Sequence, residues 1–167
     1  MNENVLHRDI KLENILIKSE DNLKIKFSDF GCSKIDPVGN TICGTPKYMA
    51  LELLDGCKIY DYKVDLWSMG LCFWELLFGY ENFPFSLRSR EHLKSDIKNF
   101  SGKNLRFPTV PKYPEEFYDF LRRILEVSPR LRMDCDEFLT HPIFNFDGGE
   151  AFFKNGGKLE TTNNESE

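Results

Sequence analysis

With 167 residues, 41% of them hydrophobic and 15 of them Phe, the chain can build one packed domain or one lobe of a larger one. A formal net charge of −5, with acidic and basic residues interspersed, argues against a general nucleic-acid surface. The five cysteines (Cys32, Cys43, Cys57, Cys72, Cys135) contain no CxxC pair and are odd in number, which predicts reduced thiols in a cytoplasmic setting and no disulfide frame or zinc site.

The polar start, Met1-Asn2-Glu3-Asn4, does not read as a signal peptide. Residues 1–6 read as the end of a helix. His7–Asn14 reads as a loop dense in functional side chains. Two apolar runs, Ile15–Lys18 and Leu23–Phe27, flank the turn-type cluster Ser19-Glu20-Asp21-Asn22 and predict a small hairpin. An irregular stretch, Asp29–Asn40, leads into a second loop, Thr41–Glu52, and a short helix near Ala50–Leu54. Tyr62–Gly79 predicts a long central helix with apolar residues on all sides, capped by Gly79. Its most apolar part, Leu66–Phe78, carries Glu75 and is shorter than the roughly 20 residues of a membrane span. Ser89–Phe100 predicts a polar surface helix. Glu115–Val127 predicts an amphipathic one, with Phe117, Phe120, Leu121, Ile124 and Leu125 on one face and Pro114, Glu115 and Glu116 at its start. Asp134–Thr140 predicts a last short helix before His141-Pro142, and the Gly-, Asn- and Glu-rich residues from Asp147 onward predict a disordered tail.

The chemistry concentrates in Val5–Ile17. Asp9, Lys11 and Asn14 share one loop, and Asp29-Phe30-Gly31 follows the second strand-like run. Phosphoryl transfer needs an aligned nucleophile and fixed charge around phosphate oxygens rather than covalent help from protein. Asp9 can accept the proton of an attacking hydroxyl, and Lys11 can neutralise the moving phosphoryl group. Asn14 and Asp29 supply oxygen ligands of the kind Mg²⁺ prefers, and a hairpin returns the chain so that the two face each other. Alone, each residue has a plainer role: an Asp as turn former, His7 as a satisfied core histidine. Together, His7-Arg8-Asp9-x-Lys11-x-x-Asn14, a hairpin and Asp29-Phe30-Gly31 form an ordered kinase signature.

On these motifs, residues 1 to about 146 resemble the eukaryotic protein kinases. The resemblance implies a mainly α fold: the C-terminal lobe of a protein kinase with a small β-hairpin at the catalytic loop and the N-terminal lobe absent, followed by a tail at 147–167. It implies ATP and Mg²⁺ as cofactors, a protein substrate, no nucleic acid and no membrane span. Asp9 is then the catalytic base, Lys11 contacts the phosphate, Asn14 and Asp29 hold metal, and Leu16 lies under the adenine. Phe30 and His7 belong to a packed internal column. Lys11 resembles the serine/threonine class. Thr45 takes the place of a hydroxyl bonded to Asp9 and Lys11. Thr41 matches a common activating phosphosite with Arg8 as the phosphate's partner; the alternative is an unmodified loop residue. Asp65 is expected to bond the backbone of the catalytic loop, and Glu52 to pair with Arg132. Phe107-Pro108-x-Val110-Pro111 and Arg132–Pro142 are similar to the autophagy-initiating ULK group, which implies a role in autophagy or stress signalling; calcium-dependent and cell-cycle kinases share parts of the pattern.

Two positions depart from the family pattern: Ala50-Leu51-Glu52 stands where Ala-Pro-Glu is usual, and Leu12 follows Lys11 where Pro is commonest. The 167 residues contain no Gly-rich phosphate-covering loop, no strand lysine and no partner glutamate. Two functions therefore remain: part of the catalytic domain of a serine/threonine kinase, or a kinase-like module that binds partners without transferring phosphate.

Overall fold

A computed structural model describes residues 5–19, 24–33, 43–100, 104–110 and 112–145. The fold is mostly helical with one two-stranded sheet. β1 (Ile15–Ser19) and β2 (Lys24–Phe27) run antiparallel, with Ile15 opposite Phe27, Leu16 opposite Lys26 and Ile17 opposite Ile25. Ser28 N–H donates to the Asn14 carbonyl at 2.9 Å and extends the pairing one step toward the loops. The residues before β1 and after β2 therefore lie at the same end of the hairpin.

Helix α1 is Leu51–Leu54, α2 Lys63–Phe78, α3 Arg90–Lys98, α4 Glu115–Ile124 and α5 Cys135–Leu139. The central helix α2 buries Trp67, Leu71 and Trp74 almost completely. It stops at Gly79, whose φ of 82° only glycine adopts without cost and whose N–H still reaches the Glu75 carbonyl at 2.9 Å. Helix α4 lies across α2 so closely that a Cβ on Gly70 would meet Ile124 at 2.8 Å and Leu125 at 2.9 Å. The predicted apolar face of α4 is the buried one: Phe117, Phe120, Leu121 and Ile124, each adding about 1.5–3 kcal/mol by leaving water. Ser89 caps α3 by accepting from the His92 N–H. Asp134 and Glu137 form a reciprocal capping box on α5.

Three expectations change. Val5 and Leu6 are not helical: Leu6 sits in an isolated β-bridge, and residues 1–4 lie outside the described residues, as do Thr41 and the tail from 146. Helix α2 is not covered on every side. Leu76 is 67% exposed, and with Met69, Cys72 and Phe73 it lines a groove of ≈ 350 Å³ whose other wall is Leu12, Ile15, Ile17, Ile25 and Phe27. The hairpin stands away from that helix face, so apolar side chains that pattern alone assigns to a core line an open cleft.

The third change concerns the cysteines. Cys32 and Cys43 form a disulfide, with Cα atoms 5.7 Å apart, while Cys57, Cys72 and Cys135 are free. Counting cysteines could not reveal this, because the two residues meet only where two separate loops converge on Arg8. Among the described residues no helix is long and apolar enough to cross a membrane.

Candidate active site

The loop before β1 is held by its own helix core. Asp65, in the first turn of α2, accepts the backbone N–H of His7 (Oδ2, 2.8 Å) and of Arg8 (Oδ1, 2.8 Å). Burial pushes the Asp65 carboxyl up, and the two amide donors and the Arg8 charge oppose it. Arg8 adopts φ 63°, costly for a residue with a Cβ. That geometry is fixed from three directions: Asp65 on its N–H, Nε donating to the Cys32 carbonyl at 2.6 Å, and Nη1 donating to the Tyr60 hydroxyl at 2.9 Å. The His7 ring donates from Nε2 to the Ser28 carbonyl at 3.1 Å, which leaves Nδ1 to accept the Asp9 N–H at 3.3 Å. His7 is a buried, satisfied histidine, with its ring 4.8 Å from that of Phe30.

Asp9 emerges from this frame only 9% exposed. Its Oδ1 accepts both the Thr45 hydroxyl and the Thr45 N–H at 2.8 Å, and its Oδ2 pairs with Lys11 Nζ at 2.9 Å. Lys11 also donates to Thr45 Oγ1 at 3.0 Å. Burial raises the Asp9 pKa, but the bonds from Lys11 and Thr45 outweigh it and hold the carboxyl below the usual range. The same contact raises Lys11, with the charges of Glu13 and Asp29 adding to the effect. Asp9, Lys11 and Thr45 thus form one closed, charge-assisted cluster, as the family resemblance implies.

Asn14 donates from Nδ2 to the Asp9 carbonyl at 2.9 Å and to Asp9 Oδ2 at 3.2 Å, which leaves its Oδ1 to act as a ligand. Asp29 follows Ser28, the residue tied to Asn14, and so sits at the same end of the hairpin. It is exposed, has φ 58° and uses Oδ1 to accept the Gly31 N–H at 3.2 Å; among the described residues its Oδ2 accepts no hydrogen bond. Leu16 lies on β1, 52% exposed. Among the described residues no three His, Cys, Asp or Glu side chains cluster as a ready-made cage. One carboxylate and one amide oxygen with open positions suit Mg²⁺, which arrives with phosphate oxygens and water in its shell.

A second cluster, not anticipated from the sequence, backs the segment after Thr45. Glu75 on α2 accepts from Lys47 Nζ at 2.8 Å and from the Tyr48 hydroxyl at 2.6 Å. Lys47 lies over the rings of Tyr48, Tyr80 and Phe83, 4.2–4.8 Å from their centroids. Burial and the Glu75 carboxylate both raise the Tyr48 hydroxyl. The available signal was Glu75 itself: a carboxylate in a buried helix needs a partner. Farther on, Arg132 pairs with both oxygens of Glu52, at 2.8 and 3.2 Å, as expected. Thr41 falls outside the described residues.

Comparison with known proteins agrees with this geometry. The protein kinase domain family matches residues 1–144, and the chain belongs to that family. It is 36% identical to the "Probable serine/threonine-protein kinase PLK" of Dictyostelium discoideum, over 87% of this chain and 14% of that protein. It is 40% identical to "Calcium-dependent protein kinase 3" of Plasmodium berghei (84% and 26%) and 36% identical to human "Serine/threonine-protein kinase ULK3" (83% and 29%). The chain therefore spans well under half the length of each of these curated relatives.

Proposed function

We propose that this chain carries the catalytic and metal-binding loops of a serine/threonine protein kinase, in the C-terminal lobe of its catalytic domain, and that the domain transfers the γ-phosphate of ATP to hydroxyls of protein substrates. One observation carries the reading: Asp9 is bonded to Lys11, Thr45 and Asn14, while Asp29 leaves the same end of the hairpin. Asp9, ionised well below neutral pH, orients an incoming hydroxyl and accepts its proton. Thr45 and Lys11 fix the rotamer of that carboxylate, and Lys11 faces the charge of the transferred group. Asn14 Oδ1 and the Asp29 carboxylate would hold Mg²⁺, which supplies charge neutralisation on the phosphates. The finer reading, a ULK-type kinase in autophagy or stress signalling, rests on the sequence patterns Phe107–Pro111 and Arg132–Pro142. Profiling peptide substrates beside ULK and calcium-dependent kinases tests it.

A second reading, a partner-binding module without phosphotransfer, is favoured by the open apolar groove between β1, β2 and α2. Two measurements separate the readings. In a catalytic domain that joins residues 1–144 to an N-terminal kinase lobe, Asp9→Asn should lower phosphotransfer about 10²–10⁴-fold while leaving the fold intact. Turnover equal to the parent's would refute the role of Asp9. In the 167-residue chain, Mn²⁺ with ATP should broaden the amide signals of Asn14 and Ser28–Gly31, and Asp29→Asn should abolish the broadening. Broadening centred elsewhere would refute the metal site.

A further inference from the structure

We propose that Cys32 and Cys43 are a reversible thiol–disulfide modification site that sets the rigidity of the Asp9–Thr45 contact. The two cysteines stand eleven residues apart and follow different loops: Cys32 ends the turn after Asp29-Phe30-Gly31, and Cys43 precedes Gly44-Thr45. Both bear on Arg8. The Cys32 carbonyl accepts Arg8 Nε, and the backbone of Gly44 lies so close to the Arg8 carbonyl that a Cβ there would collide with it. Arg8 is bonded in chain to Asp9, and Gly44 to Thr45, whose N–H and hydroxyl both reach Asp9 Oδ1. The disulfide therefore joins covalently the two loops that meet at the strained Arg8, which adjoins Asp9 on one side as Gly44 adjoins Thr45 on the other.

Both half-cystines are partly exposed, so a small dithiol or disulfide can reach them. The other thiols are internal controls. Cys72 is buried in α2 and its thiol is pushed up to about 12 by burial and the charges of Glu75 and Glu13, which suppresses the thiolate. Cys57 and Cys135 are exposed but unpaired. Oxidation by a small disulfide such as oxidised glutathione balances as two exchanges. One cysteine thiolate attacks the small disulfide and releases one small thiol. The second cysteine thiolate then attacks the mixed disulfide, forming Cys32–Cys43 and releasing the second small thiol, with both protons ending on the released thiols. A dithiol runs the sequence backward.

The assignment stands on the sulfurs and the loops they join, and holds whichever reading of function is right. It is tested on the 167-residue chain equilibrated in glutathione buffers from fully reduced to fully oxidised, quenched with acid, alkylated and peptide-mapped, with amide hydrogen exchange followed in parallel. A Cys32–Cys43 cross-linked peptide should form and be reversed by dithiothreitol. Exchange at the Thr45 N–H should slow by about tenfold on oxidation, with no change at Leu71 in α2. In Cys43→Ser and, independently, in Cys32→Ser, the redox buffer should leave Thr45 unchanged. Separate alkylation or glutathionylation of the two cysteines at every buffer ratio would overturn the proposal, as would a cross-link that forms without altering Thr45.

Discussion

Removing the Arg132 side chain is the sharpest test of how this fold is held together. The guanidinium is 1% exposed, and all five of its N–H donors are used. Nη1 reaches Glu52 Oε1 at 2.8 Å and the Lys63 carbonyl at 2.8 Å. Nη2 reaches Glu52 Oε2 at 3.2 Å and the Val127 carbonyl at 3.0 Å, and Nε reaches the Glu126 carbonyl at 2.8 Å. The cation also lies 5.0 Å from the centre of the Trp67 ring. One side chain thus ties α1, the start of α2 and the loop after α4. Arg132→Ala leaves the Glu52 carboxylate without its ion partner and removes the guanidinium donor from three carbonyls, a change worth about 3–5 kcal/mol. A domain of this size has about 5–15 kcal/mol in total. With a urea slope of about 2 kcal/mol/M, the midpoint should fall by about 2 M. Trp67 fluorescence reports the transition directly. Arg132→Lys keeps the charge but not the fork and should cost less, about 1–3 kcal/mol, which keeps the test alive if the alanine variant does not fold. The double-mutant cycle with Glu52→Ala should give a coupling of at least about 1 kcal/mol. An alanine variant within about 1 kcal/mol of the parent, or additive single changes, would refute the argument that this pair is a tertiary joint.

The active-site cluster makes a pH prediction. The folded-state pKa of Asp9 lies below 3.8, so its contribution to stability is complete above that value and is lost as pH falls through the folded pKa. Lys11 is raised above 10.5, so its share is complete below that value and is lost as pH rises through the folded pKa. The Asp9 carboxyl ¹³C shift and the Thr45 amide shift should be flat from about pH 5 to 9; a titration step in that range traceable to Asp9 would contradict the cluster. Gly44 and Gly56 both have positive φ, but only a Cβ at Gly44 meets backbone, whereas Gly56 opens to empty space. Gly56→Ala should cost about 1–2 kcal/mol and Gly44→Ala clearly more, read as a difference in melting temperature; equal losses would refute the close approach to Arg8. Asp65→Ala, which strips two loop amides of their acceptor, should destabilise by about 2–4 kcal/mol and speed exchange of the His7 and Arg8 amides, and a variant with unchanged exchange there would show the loop to be held by something else.

What the sequence made legible divides by the range of the interaction. The central helix, the amphipathic α4 with Phe120 and Leu121 inward and the hairpin of β1 and β2 follow from local patterning, because each buries a face or turns a corner within a few residues. The grouping of Asp9, Lys11 and Asn14 was readable from ordered motifs, with the hairpin explaining why Asp29 returns to Asn14, and Thr45 joined it only through the family resemblance. The open groove beside Leu76, the Lys47–Glu75–Tyr48 contact and the Cys32–Cys43 bond were not, since each depends on how loops distant in sequence are laid against one another. Backbone strain belongs with these. Arg8 and Asp29 are the described non-glycine residues with positive φ, and they lie beside Asp9 and after Ser28 respectively, at the two loops where the proposed chemistry resides. Composition gives no hint of that cost. Its support is visible only in the fold: Asp65 on the amide of Arg8, Tyr60 and Cys32 on its guanidinium, and the Gly31 amide on Asp29. A strained conformation of order 1–3 kcal/mol persists only where its surroundings over-determine it, and Arg8 is the more heavily tied of the two. The loop bearing the candidate base is thus rigidly built, whereas Asp29, exposed and held by one local bond among the described residues, retains the freedom that an incoming metal ion would require.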